Sequence, residues 1–279
     1  MCTNVYSFEY LLDFFITDRM PAKATIKQYK LVISLFQRDT KIIDIREINK
    51  HIANQWRNQV LDRASASTCN NYLRHLKSLF NCALEEELIK NNPFAKVKII
   101  TTHRKLNRTT NSNDVAKALS FLREEEQDYM PGWFWIAVIK MLYYTGMRRK
   151  QLTKLCWKDI DFERRIIQLR AESSKNNREW EIPLNHHILQ ELIFLKTTIW
   201  ELVGLEENIN NLQVFNVTLF NPRYRGDNMT EEQVSGFFRH LSEKLEFKLS
   251  PHRFRHHLAS ELVNKKGGCQ ISQRVIRTH

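Results

Sequence analysis

Three short basic clusters carry the side chains best suited to chemistry in this chain of 279 residues. The first is Thr145-Gly146-Met147-Arg148-Arg149-Lys150-Gln151-Leu152, which sets two arginines at a helix start. The second is Lys175, in a polar loop between two strand-like runs and upstream of Pro183. The third is Ser250-Pro251-His252-Arg253-Phe254-Arg255-His256-His257, where His252 and Arg255 stand three apart and share a helix face. Planar guanidinium groups give paired hydrogen bonds to phosphate oxygens, and an imidazole adds a titratable donor. Gathered in one place, these groups would hold a phosphodiester and the charge that builds on it during displacement. Taken singly they mean less, because a helix-start arginine is ordinarily an ion-pairing surface residue and a hairpin lysine is ordinarily solvated. His252 and His256 have the i, i+4 spacing of metal ligands. No carboxylate or cysteine lies suitably near them and Arg255 sits between them, so no metal is expected.

These clusters need elements to position them, and the hydrophobic period supplies those elements. Phe8, Leu11, Leu12 and Phe15 predict a helix over 7–16, and Ile26, Tyr29, Ile33 and Phe36 one over 25–38. Ile48, Ile52 and Trp56 predict a third over 45–61. The longest spans 67–89, through Tyr72, Leu76, Leu79, Phe80 and Ala83, and stops before Asn91-Asn92-Pro93. Asn113 and Asp114 offer a cap for a helix to about residue 126. An apolar helix over 133–144 should end at Gly146, and another opens at Met147. The period then changes to two, with runs at 160–162, 166–169 and 179–184, a three-stranded antiparallel meander ended by Pro183. Helices return at 188–203, at 230–241 behind a Thr230/Gln233 capping box, and at 251–263.

The expected organisation is a helical domain over 1–95, a basic linker over 96–112 and a mixed domain over 113–279. The formal charge is +12. It is unevenly spread: 18 Lys+Arg meet 10 Asp+Glu through Ser112, against 25 and 21 beyond it. An excess on the smaller, N-terminal part suits a surface that wraps a polyanion, either nucleic acid or an anionic membrane face. No stretch approaches the roughly 20 apolar residues of a membrane span. The N-terminus has no secretory pattern. Five scattered cysteines, at 2, 69, 82, 156 and 269, form no Cys-x-x-Cys pair, so a reducing cytoplasmic setting without a disulfide framework is expected. An RNA-binding protein is disfavoured, because no aromatic-rich β surface for stacking bases is evident.

In order and context, Thr145-Gly146-Met147-Arg148…Leu152, Lys175…Pro183-Leu184 and His252-x-x-Arg255-His256 closely resemble the signature of the tyrosine recombinases, the phage integrase family. Ser67-x-Cys69…Tyr72…Leu76…Phe80…Ala83…Ile89-x-Asn91-Asn92-Pro93-Phe94 is similar to the last helix of that family's core-binding domain. The resemblance implies a mainly α fold with a small antiparallel three-stranded sheet, divided into a helical DNA-clamping domain and a mixed catalytic domain. It implies site-specific cutting and rejoining of double-stranded DNA by an integrase of a phage or mobile element, working as a homo-tetramer. In that scheme Arg148 and Arg255 hold the non-bridging oxygens of the scissile phosphate. His252 donates a hydrogen bond and assists proton transfer, and Lys175, carried on the hairpin into the minor groove, protonates the departing 5′ oxygen. A tyrosine attacks and forms a 3′-phosphotyrosyl link, which conserves the phosphodiester energy, so no cofactor or metal is implied.

The sequence departs from that pattern in two places. Gln151 stands where the family usually has an acid. After His256 the family continues to a Leu-Gly-His (or Trp) stretch and then the nucleophilic tyrosine. Here His279 falls near the second histidine, preceded by Thr278 rather than Gly, and the last tyrosine is Tyr224, upstream of the third cluster. The expectation is a copy without its nucleophile, which binds DNA and does not cleave it. The competing expectation is a non-catalytic DNA-binding regulator, or relic, derived from an integrase.

Overall fold

The computed structural model describes residues 6–101, 111–124, 131–170, 179–204 and 209–264. Two compact units divide the chain, Met1–Leu106 and Asn107–His279. In the first, α1 (Phe8–Arg19) opens on Ser7, whose hydroxyl accepts the Tyr10 N–H at 3.2 Å. Its stripe of Phe8, Leu11, Leu12 and Phe15 is buried, as the spacing requires. Helix α2 (Lys23–Thr40) buries Tyr29, Val32, Ile33 and Phe36.

The single helix expected over 45–61 is two elements. A 3₁₀ turn, Ile45–Glu47, precedes α3 (Lys50–Arg63). Asp44 accepts the Arg46 N–H at 2.9 Å, and Asn49 accepts from His51 and Ile52 at 2.9 and 3.0 Å. Two short polar side chains thus satisfy backbone donors locally and restart the helix. Helix α4 (Ala66–Glu85) also stops earlier than its pattern suggested. Glu87 takes a left-handed φ of 56°, and the Leu88 N–H reaches back to Ala83 O at 2.9 Å. That is a Schellman-type stop, made without glycine.

The core of this unit is aromatic. Phe94, just past Pro93, lies 5.0 Å from the Phe80 ring and 5.8 Å from Phe36, and Phe36 meets Trp56 edge-on at 5.1 Å. The Trp56 indole N–H donates to Asp39 at 2.9 Å, and Arg38 and Arg63 pair with the same carboxylate. The expected linker begins inside this unit: Val97 is buried, and the Asn70 side chain holds both polar backbone groups of Ile100 at 2.8 and 2.9 Å. Residues 102–110 of that segment lie outside the described residues.

The second unit begins with α5 (Ser112–Glu124). Its cap is Asn111 rather than Asn113 or Asp114: Asn111 Oδ1 accepts the Asp114 N–H at 2.7 Å, and Asp114 Oδ2 accepts the Asn111 N–H at 3.2 Å. Helix α6 (Gly132–Thr145) is apolar nearly all round and runs through the core, where Trp135 stacks on Phe237 with ring centres 3.8 Å apart. After α7 (Arg149–Lys154) come β1 (Ile160–Asp161), β2 (Ile166–Leu169) and β3 (Trp180–Pro183). They form one antiparallel sheet in sequence order, with Ile167 opposite both Ile160 and Ile182. This is the expected meander, closed by Pro183 at the strand end. Helices α8 (His186–Val203), α9 (Glu231–Lys244) and α10 (Pro251–Asn264) follow, with 3₁₀ turns at Trp157–Asp159 and Val217–Leu219. A mainly helical fold with a small three-stranded sheet is what the chain adopts.

Candidate active site

The turn between α6 and α7 is built by its own residues. Thr145 donates its hydroxyl to Met141 O at 2.6 Å and accepts the Met147 N–H at 3.2 Å. Gly146 ends α6 with a φ of 60°, a left-handed conformation that costs little only for glycine. A side chain here would also collide: a Cβ at Gly146 would come within 2.9 Å of Leu258 Cδ2 and 3.7 Å of Arg255 Cα. The backbone angle favours glycine here, and a side chain would also have to push the Leu258 methyl aside.

The approach of α10 brings the first and third clusters together. Arg255 Nη1 donates to Gly146 O at 2.9 Å, across 109 residues of sequence. Arg148 stands two residues beyond Gly146, in extended backbone at the mouth of α7. Its N–H is held by Gln151 Oε1 at 2.7 Å, and Gln151 is buried. The neutral amide thus supplies the acceptor that a carboxylate would, without setting a negative charge beside Arg148. Burial first, and then repulsion from the Arg148 guanidinium, lower the Arg255 pKa. Two half-buried guanidinium groups near enough to repel make a site that an anion would relieve.

Helix α10 is oriented by Phe254, fully buried between Tyr143 and Phe238 with ring centres at 5.9 and 5.7 Å. Pro251 sits at its first position, behind Ser250, whose hydroxyl accepts the Arg253 N–H at 3.3 Å. With Phe254 inward, His252 is exposed and its Nε2 lies 2.9 Å from Nε2 of His256. A groove of about 610 Å³ runs past His252, with Arg149, Arg239 and Lys248 among its lining. Arg148 and Arg255 lie outside that lining.

Two expected site residues, Lys175 and His279, lie outside the described residues, although β2 and β3, which flank Lys175, pair through Leu169 and Trp180. Tyr224 packs its ring 5.9 Å from Trp135, and burial raises its pKa, the opposite of an activated nucleophile. One contact had no signal in the sequence. Tyr143 Oη lies 3.1 Å from His257 Nε2 with the rings stacked, and Glu261 reaches the same nitrogen at 3.4 Å. Because phenol and carboxylate share one nitrogen, no relay runs through the imidazole; burial, with Glu261 adding to it, raises the Tyr143 pKa. This group ties α6 to α10 and so supports the spacing of Arg148 and Arg255.

The family described as phage integrase matches residues 108–276, and the phage integrase SAM-like domain matches residues 9–99. The chain belongs to the phage integrase family. A putative tyrosine recombinase XerC of Pseudomonas syringae is 32% identical over 222 residues, covering 76% of this chain and 46% of that protein. A Pseudomonas aeruginosa protein of the same name is 30% identical over 232 residues, covering 78% of this chain and 53% of its own length. The chain thus spans about half the length of these curated relatives. Among solved structures, the Tn1549 transposon integrase in complex with a circular intermediate DNA superposes with a TM-score of 0.75 at 20% identity, covering 96% of this chain and 90% of that one. At that identity the likeness is one of fold. Two of the three signature clusters read from the sequence fall on the α6–α7 turn and on α10, where Arg255 donates to Gly146 O, two residues from Arg148.

Proposed function

We propose that this chain is a site-specific DNA recombinase, an integrase of a phage or mobile element, that engages double-stranded DNA in the cytoplasm. The observation that carries this reading is that Arg255 donates to the Gly146 carbonyl, two residues from Arg148, whose guanidinium is near enough to repel it. The two guanidinium groups grip the non-bridging oxygens of a scissile phosphate, and charge developing on those oxygens relieves their mutual repulsion. His252, on the exposed face of α10, donates to the same phosphate. Lys175 acts as the acid for the departing 5′ oxygen, and His279 takes the place of the family's second histidine. The first unit clamps the duplex with the polar groove of about 440 Å³ that includes Gln28, Asn71 and Arg74.

The same reading has a limit set by residue content. No tyrosine follows Tyr224, and Tyr143 is engaged with His257. As part of the proposal, these 279 residues bind DNA without cutting it, since none of their tyrosines stands beyond Arg255, where the family places its nucleophile. Relatives of this fold include a lambda integrase tetramer bound to a Holliday junction. We extend homo-tetramer assembly on DNA to this chain as part of the proposal. The alternative role proposed is a non-catalytic regulator that occupies recombination sites. The test is a pool of nicked duplexes of randomised sequence, analysed on native and denaturing gels. A shifted band on the first and none on the second is expected. A covalent protein–DNA adduct would contradict the non-cleaving part, and no shift at all would contradict DNA binding.

A further inference from the structure

Helix α8 buries Ile188, Leu192, Leu195 and Ile199 in the core of the second unit. Its opposite face should then be polar. Instead Ile193, Phe194 and Trp200 stand there, 51%, 52% and 50% exposed, with the exposed Thr197 among them. At 100° per residue all four fall within one helix face. The Thr197 hydroxyl already donates to Ile193 O at 3.1 Å, so covering it strands no donor. The apolar surface continues off the helix: Phe194 meets the Trp133 ring edge-on at 5.2 Å, and Trp133 meets Phe220 at 5.0 Å, both partly buried. Charge on α8 is slight for a chain of +12. The Lys196 ammonium lies over the Phe162 ring at 5.2 Å, Glu191 pairs with Lys140, and Glu201 is exposed.

We infer that this face of α8 is an interface with a second copy of the chain, formed without DNA. Single exposed apolar side chains are ordinary, whereas a contiguous patch marks a contact surface. Half of Ile193, Phe194 and Trp200, with the open edges of Trp133 and Phe220, comes to roughly 400 Å² per copy. Two copies bring about 800 Å², and homodimer interfaces are about 65% apolar, so the whole contact reaches about 1,200 Å². That is the low end of the range for a specific interface. The spacing suits a twofold axis as well. Ile193 and Trp200 lie about one turn either side of Thr197, so antiparallel helices crossing at Thr197 set each Ile193 against the other copy's Trp200. A small residue at the crossing lets the two backbones approach. The inference stands apart from the DNA reading, since α8 carries none of the groups assigned to phosphate.

The test is sedimentation equilibrium of the full, reduced, nucleic-acid-free chain from about 1 to 100 μM. Wild type is expected to pass from one-chain to two-chain mass over that range. Ile193→Glu and Trp200→Glu should each raise the dimer Kd by about tenfold or more. Met20→Glu, altering an exposed side chain of the first unit, should dimerise like wild type. Where a glutamate variant melts below wild type, Thr197→Cys decides: on mild oxidation it should give a disulfide-linked two-chain band that wild type lacks, since the two thiols meet at the axis. Wild type that stays a monomer at 100 μM overturns the proposal and leaves the face to a different protein partner. So does a dimer that neither glutamate variant weakens, one that Met20→Glu weakens equally, or a Thr197→Cys chain that does not cross-link.

Discussion

Gly146 shows how a single residue serves both backbone and site. Its left-handed φ disfavours a side chain, and the Leu258 methyl would have to move to make room for one. Gly146→Ala is expected to cost about 1–3 kcal/mol in urea unfolding, from the left-handed strain and the displaced α10. It should also weaken DNA binding, because Arg255 hangs on the Gly146 carbonyl. A variant of wild-type stability would show that the turn tolerates a Cβ. At this scale Arg148, His252 and Arg255 stood out in the sequence by residue type and by their resemblance to the family signature, and the structure sets Arg255 on the Gly146 carbonyl, two residues from Arg148. Gln151's hold on the Arg148 N–H and the Tyr143–His257–Glu261 group were not legible, because each depends on rotamers or on a contact across 114 residues. Tyr143→Phe should cost about 0.5–1.5 kcal/mol of stability, the usual worth of one hydrogen bond. A change near zero in the same assay would show that His257 is held by stacking and Glu261 alone.

Helix stripes were legible because burial acts on whole faces; helix ends were not, because single side chains decide them. Asp44 and Asn49 split one expected helix, and Glu87 stopped α4 although glutamate gives no sign of a left-handed cap. The α2–α3 joint adds a pH dependence. Burial pushes the Asp39 carboxyl upward, but hydrogen bonds from Arg63, Arg38 and Trp56 outweigh it and leave the pKa below the ordinary 3.8. Asp44 is lowered as well, mainly by Arg46. A folded-state pKa below the unfolded value gives stability that is complete above about pH 4 and fades as pH falls through the folded value. Asp39→Asn should therefore lower Tm at pH 7, by the equivalent of about 1 kcal/mol after solvent screening, and the gap should close below pH 4. A gap that persists in acid would assign the effect to packing. Phe94→Ala removes the ring between Phe80 and Phe36 and should cost about 3–5 kcal/mol, read as a fall in urea midpoint.

Across the whole molecule, a +12 chain is organised as two compact units, each with its own apolar core. Charge alone suited a polyanion, nucleic acid or an anionic membrane face, without choosing between them, and among the described residues no helix is long and apolar enough to cross a membrane. The Arg148–Arg255 pair gives part of that charge a destination. The most direct test is the salt dependence of duplex DNA binding by wild type, Arg148→Gln and Arg255→Gln, followed by gel shift or anisotropy. Removing one arginine–phosphate interaction should make the slope of log K against log salt shallower by about 0.9, so each variant should fall below wild type by nearly one unit. Slopes equal to wild type in both variants would contradict the claim that these two arginines grip a DNA phosphate.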